Sequence, residues 1–139
     1  MLSGKSVWHV NQDIGKCFLK DEIKGYYNNM TEKVTKVPEL LNSDELPKLN
    51  LKGGKFTFFP VAIFQYGLGA YDLYLQTHDE RYVRKFMQCV DWAIEHEDEK
   101  GRWNNFSHYC QKIRIVQWPR VKVFLFSFEL INTQVRLII

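Results

Sequence analysis

Two stretches of this 139-residue chain carry side chains suited to holding a polyhydroxylated ring. In FPVAIFQYGLGAYDLYL, residues 59–75, the amide of Gln65 and the phenol of Tyr66 could hydrogen-bond hydroxyl groups, and the small Gly67 and Gly69 would let other backbone approach closely. In WNNFSHY, residues 103–109, Trp103, Phe106 and Tyr109 offer aromatic faces for stacking on a pyranose, and Asn104 and Asn105 offer paired amides. A plainer reading stands beside each. Gln65 can cap a neighbouring backbone group and Tyr66 can pack with its hydroxyl satisfied, while the aromatics of 103–109 can serve to pack a loop.

Other reactive residue types form no pattern. His9, His78, His96 and His108 lie far apart without metal-ligand spacing and read as surface or cap residues. Cys17, Cys89 and Cys110 are odd in number and widely spaced, which argues against a disulfide framework and points to a reduced compartment. There is no nucleophile elbow, phosphate loop or zinc pattern, so no metal or cofactor is expected. Asn29-Met30-Thr31 and Asn105-Phe106-Ser107 match glycosylation sequons, a pattern frequent by chance. The 19 basic and 16 acidic residues are spread too evenly for a nucleic-acid surface. No secretory signal or run of about 18 apolar residues is present, so no membrane partner is expected and the cytoplasm is the default compartment.

The elements that must position these residues divide the chain into three. Residues 1–59 mix aromatics with Pro38, Pro47 and the pair Gly53-Gly54, which favours extended segments and loops, with KFTFF at 55–59 the clearest strand. Residues 60–110 read as two helices. The first, about 60–76, starts with Pro60 at an N1 position and is apolar on nearly every face, with Gln65, Asp72 and Gln76 its plainly polar positions. A capping box from Thr77 to Glu80 then opens a second helix over about 79–97. Its apolar face is set by Val83, Phe86, Val90 and Ile94. Glu80, Arg81, Arg84, Lys85, Glu95 and Asp98 lie opposite, and Gly101 offers a stop. A buried helix, a very short turn and a half-exposed antiparallel helix make one αα-hairpin, the repeating unit of an α/α toroid. The fold expected is mainly α, a toroid fragment preceded by an extended, β-containing segment. Residues 111–139 break the pattern: KIRIVQWPRVKVFLFSFELI, at 112–131, is β-branched, aromatic and basic, and reads as an edge strand or as misplaced material.

Three segments together carry a family likeness. GYYNNMTEKV at 25–34, FPVAIFQYGLGAYDLYL at 59–75 and CVDWAIEHEDEKGRWNNFS at 89–107 resemble the C-terminal region of D-glucuronyl 5-epimerases, over about residues 5–109. These enzymes convert D-glucuronate to L-iduronate within heparosan and heparan-type chains. The resemblance implies an α/α toroid beside β-rich structure, a uronate-polysaccharide partner, and catalysis by tyrosines with an acidic residue. It makes Gln65, Tyr66, Tyr71, Trp103 and Asn104 candidate substrate-binding residues. The family's proton-transfer residues lie further downstream, so none is carried over to this chain.

The resemblance also gives an account of the tail. In the family, the segment after WxNFS continues as a run like Y-S-A-M-A-Q-G-E-G-I-S-L-L, then R-A-Y. Back-translating the tail and reading from the third base of each codon, Trp118 into Pro119 must give alanine. Neighbouring codons permit the rest of the run, up to tyrosine at Leu130 into Ile131. Residues from about 111 onward are therefore expected to be a shifted-frame translation, and the chain to be inactive alone. An inner helix with one hairpin partner is expected to leave about six large side chains uncovered, at roughly 2 kcal/mol each, and to self-associate through its exposed apolar surface. A noncatalytic carbohydrate- or partner-binding module and a uronate lyase on the same toroid are the alternatives.

Overall fold

Pro60 begins the longest element: its missing N–H costs nothing in the first turn, where the amides of Ala62 and Ile63 instead reach back to the Phe59 carbonyl at 2.9 and 3.2 Å. The computed structural model describes residues 13–21, 24–51, 54–100 and 103. Within them, in chain order, are a short helix α1 (Glu32–Thr35), a 3-10 turn (Pro38–Asn42), strands β1 (Lys48–Leu51) and β2 (Lys55–Phe58), and helices α2 (Pro60–Thr77) and α3 (Glu80–Glu95). The described chain is mainly helical with a small two-stranded antiparallel sheet, in which Lys48 pairs with Phe58 and Leu51 with Lys55. No described helix is long and apolar enough to cross a membrane.

The turn between the long helices is two residues. His78 takes a left-handed conformation, φ 58°, and its N–H closes α2 on the Tyr74 carbonyl at 2.8 Å. Asp79 then caps α3, accepting the Arg81 N–H at 2.9 Å while its carboxylate pairs with the Arg81 guanidinium at 2.6 Å. The expected capping box is corrected here. Thr77 is still helical, its hydroxyl donating to the Leu73 carbonyl at 2.8 Å, so it cannot stand at the N-cap that Asp79 occupies.

Ring contacts fix the direction of the hairpin. Tyr71 meets Phe86 at 5.2 Å and Phe64 meets Trp92 at 6.5 Å, so numbers falling along α2 match numbers rising along α3, and the helices run antiparallel. On α3 the buried residues are Val83, Lys85, Phe86, Cys89, Val90, Trp92 and Ala93. At about 100° per residue they fill one continuous arc of about 180°, from Val83 round to Trp92. Ile94 falls just outside that arc and is 60% exposed, a correction to the expected apolar face. Lys85 is the opposite correction, at 2% exposed. Its ammonium donates to the carbonyls of Ser43 at 2.6 Å and Glu45 at 3.2 Å, which binds the loop before β1 onto α3.

Within the segment 13–29, of which residues 13–21 and 24–29 are described, the chain folds back through antiparallel bridges of Ile14 with Asn28 and Leu19 with Lys24. The chain then crosses α2 at Gly69, where an added Cβ would run into the backbone carbonyl of Met30. Met30 and Val34 join the core formed by α2 and α3. As a result α2 is covered nearly all round. Ile63, Phe64, Tyr66, Leu68 and Tyr71 are each at most 5% exposed, and Val61 is the exposed large apolar residue of this helix. The uncovered inner helix expected from a single hairpin is thus not what is found, because the N-terminal segment supplies much of the missing cover. Residues 104–139, with Asn104, His108, Cys110 and the expected frame change, lie outside the described residues, as do His9 and Gly101, the expected stop.

Candidate functional site

On a helix otherwise apolar on all sides, Gln65, Asp72 and Gln76 are spaced by seven and four, which places them within one stripe about 40° wide. The N-terminal segment lies over the middle of that stripe. Asp72 is wholly buried, and its Oδ1 accepts the Tyr26 N–H at 3.1 Å. Gly15 packs against the same carboxyl so closely that a Cβ there would stand 3.3 Å from Oδ2. The Cys17 thiol and the Gln76 side-chain amide both donate to the Asp72 main-chain carbonyl, at 3.8 and 3.1 Å. Oδ2 itself has no hydrogen-bond partner. Burial raises the Asp72 pKa to about 7, with the Tyr26 N–H pulling weakly the other way. A carboxyl titrating near neutrality can give or take a proton under ordinary conditions. In this conformation it is enclosed by protein.

The residues singled out in the sequence occupy different places. Gln65 is half-buried. Tyr66 is 1% exposed with its hydroxyl unpartnered, and burial, then the nearby Cys89 and Tyr82, pushes its phenol well above the ordinary range. Tyr71 packs on Phe86, and burial, then Asp72, likewise raises its phenol. Neither tyrosine presents a ring face to solvent, so neither can stack on a sugar without a change of conformation. Trp103 stands edge-on to Phe64, with centroids 5.3 Å apart at 90°, and its indole N–H donates to the Ala93 carbonyl at 2.7 Å. The first turns of α2 and Trp103 are therefore brought together, whereas Tyr71 faces α3 further along. Asn104 is outside the described residues.

Beside this end of the hairpin Trp92 stacks on His96 at 4.4 Å and 15°, with its own indole N–H unpartnered. His78 and His96 are both helix C-caps, as their isolation in the sequence suggested. Cys17 and Cys89 are free thiols, and burial drives the Cys89 thiol up to about 12. Asn29 accepts the N–H and hydroxyl of Thr31 at 3.1 and 2.6 Å, so the first sequon forms a local turn. Among the described residues no cluster of His, Cys, Asp and Glu could hold a metal ion.

Asp72 is the group sequence reasoning passed over. The available signal was its place, two helical turns from Gln65 and one from Gln76, on a helix with no other polar stripe. Comparisons of the chain with protein-family models, with curated proteins and with solved structures each gave no match.

Proposed function

We propose that this chain carries an inner-and-outer helix pair of a D-glucuronyl 5-epimerase-like α/α toroid, with the segment that leads into it. The observation that carries the reading is the α2–α3 hairpin itself. A helix buried on nearly every side is followed, after two residues, by one buried over half its circumference, and both fall on the stretches that bear the family likeness. The partner in this reading is a uronate-containing polysaccharide, met by Gln65 of α2 and by Trp103, which packs on the neighbouring Phe64, while Asn104, Tyr66 and Tyr71 are the other candidates the family likeness supplies.

Epimerisation removes the proton at carbon 5 of the uronate and returns one from the opposite face. Two acid–base groups must flank the ring, and donors must hold the carboxylate as charge develops next to it. Asp72 has a suitable proton affinity but faces backbone, and Tyr66 and Tyr71 are enclosed. With no second group opposite them among the described residues, the isolated chain is expected to leave carbon 5 untouched. Incubating heparosan with the purified chain in deuterium oxide and following the carbon-5 proton by NMR tests this, and deuterium incorporation would overturn it. Nucleotide sequence across codons 108–139 tests the family assignment separately. The run Y-S-A-M-A-Q-G-E-G should be encoded in the shifted frame, and codons unable to encode it would remove that support.

One observation favours a second reading, a noncatalytic carbohydrate-binding module. The cover given to α2 by residues 13–34 makes a closed core rather than an open ring fragment. Cooperative melting together with heparosan binding by the 139-residue chain would select it. A lyase on the same scaffold would release an unsaturated uronate with ultraviolet absorbance, which the same incubation reads.

A further inference from the structure

Polar contacts from residues 13–29 to α2 converge on one residue, Asp72. The Tyr26 N–H donates to Asp72 Oδ1 at 3.1 Å, Gly15 lies against Oδ2, and the Cys17 thiol reaches the Asp72 carbonyl at 3.8 Å. The rest of the segment holds itself together: the Gly15 N–H donates to the Tyr27 carbonyl at 3.0 Å, the Asn29 N–H to the Asp13 carbonyl at 2.8 Å, and the Leu19 N–H to the Lys24 carbonyl at 3.2 Å. It can therefore move as a unit. Its outer side carries exposed Ile14, Leu19 and Tyr27 and the exposed charges of Asp13, Lys16, Lys20, Asp21 and Lys24.

A carboxylate at Asp72 would be a full charge, wholly buried, with one hydrogen bond and one bare oxygen. A buried charge without a paired cation is costly, and a neutral carboxyl far less so. Among the described residues no basic side chain forms an ion pair with it. The titratable groups facing it are Tyr71 on its own helix and Cys17 and Tyr26 on the segment, with Tyr27 and Lys24 behind these. Burial moves the thiol and the phenols of Tyr26 and Tyr71 upward, so they stay neutral through the range in which Asp72 titrates. On α3 the nearest analogue, Lys85, is engaged with Ser43 and Glu45 instead.

We propose that residues 13–29 form a pH-sensitive strap over α2, latched through Asp72 while that carboxyl is uncharged and released when it ionises. Release uncovers the middle of the Gln65–Asp72–Gln76 stripe, and so exposes a carboxylate that the closed form hides. The device does not depend on which reading of the function holds.

The sign and size follow from linkage. Burial lifts the docked carboxyl from its ordinary 3.8 to about 7, so docking is strongest below 3.8 and is lost as pH rises through 7. Between pH 5 and 7 the docking constant should fall about fiftyfold, and by only about twofold more above pH 7. Hydrogen–deuterium exchange of the full chain, corrected for intrinsic rates, reads this directly. Peptides covering 13–29 should lose protection on that curve while those of α3 do not. In Asp72→Asn, which keeps the acceptor for Tyr26 and removes the charge, protection should become independent of pH. Carbon-13 titration of the Asp72 carboxyl in the unaltered protein should show a midpoint coincident with strap opening, and it serves alone if the variant does not fold. Protection of 13–29 that is flat with pH in the unaltered protein, an Asp72→Asn strap that still opens on the same curve, or a carboxyl midpoint near 4 would each overturn the proposal.

Discussion

Gly69→Ala should destabilise this protein, although the same change in the middle of an ordinary helix is stabilising. Helix propensity alone favours alanine by about 1 kcal/mol. At Gly69, however, a Cβ would collide with the Met30 carbonyl oxygen and lie 2.8 Å from the Met30 carbonyl carbon and 3.2 Å from Val34 Cγ2. The carbonyl carbon is thus about 0.6 Å inside the 3.4 Å at which such contacts become ordinary. The obstacle is main chain, which cannot rotate away, so residues 30–34 must lift as a block. Met30 and Val34, at 5% and 1% exposed, would loosen with them. Overpacking of this kind costs about 1–3 kcal/mol, and partial loss of one buried side chain adds about 1 kcal/mol. Set against the propensity gain, the net loss should be about 2 kcal/mol. Urea unfolding monitored by circular dichroism would show it as a lower midpoint with an unchanged slope. A Gly69→Ala protein as stable as the parent, or more so, would mean that residues 30–34 do not rest on α2 as described.

Lys85→Met keeps the buried stem and removes the donors to Ser43 and Glu45; since hydrogen bonds from a charged group are worth about 1.5–3 kcal/mol, unfolding free energy should drop by about 2 kcal/mol. Exchange protection of the core amides of α3 should fall in step, by about thirtyfold, which denaturation paired with amide exchange would check. Tyr66→Phe removes a buried hydroxyl that has no partner, and should raise stability by about 1 kcal/mol in thermal melts; a marked loss would show that the hydroxyl is satisfied in solution.

The helical hairpin was legible because its signals are local. Pro60 at the first position, the all-round apolar character of 60–75 and the three-and-four spacing from Val83 to Val90 all act within one or two turns. The strand at 55–58 was legible for the same reason. What was misread depended on distant chain. Lys85 belongs to the interior only because the carbonyls of residues 43 and 45 arrive above it. Ile94 is exposed because the buried arc of α3 is centred on Phe86 and Cys89, where α2 lies, and not on the stripe that joins Val83, Val90 and Ile94. Thr77 was read as the cap, and only the point at which α2 ends gives that place to Asp79. Of the candidate site, Trp103 packs edge-on against Phe64, and Tyr66 is buried as the plainer reading expected but without the satisfied hydroxyl that reading gave it. Asp72 was visible as a polar position, but its significance came from Gly15 and Tyr26, some fifty residues away.

That distance has a bearing on the order of assembly. Tyr71 and Phe86 stand fifteen positions apart in the chain, whereas Tyr26 and Cys17 meet Asp72 across 46 and 55. Bringing the more remote pair together costs about 1 kcal/mol more in closure entropy, and its return is two hydrogen bonds with the packing around Asp72 rather than the whole face shared by two long helices. The two long helices should therefore zip first and wait as a bare platform. The amino-terminal portion, although it leaves the ribosome earlier, should be the last piece to settle.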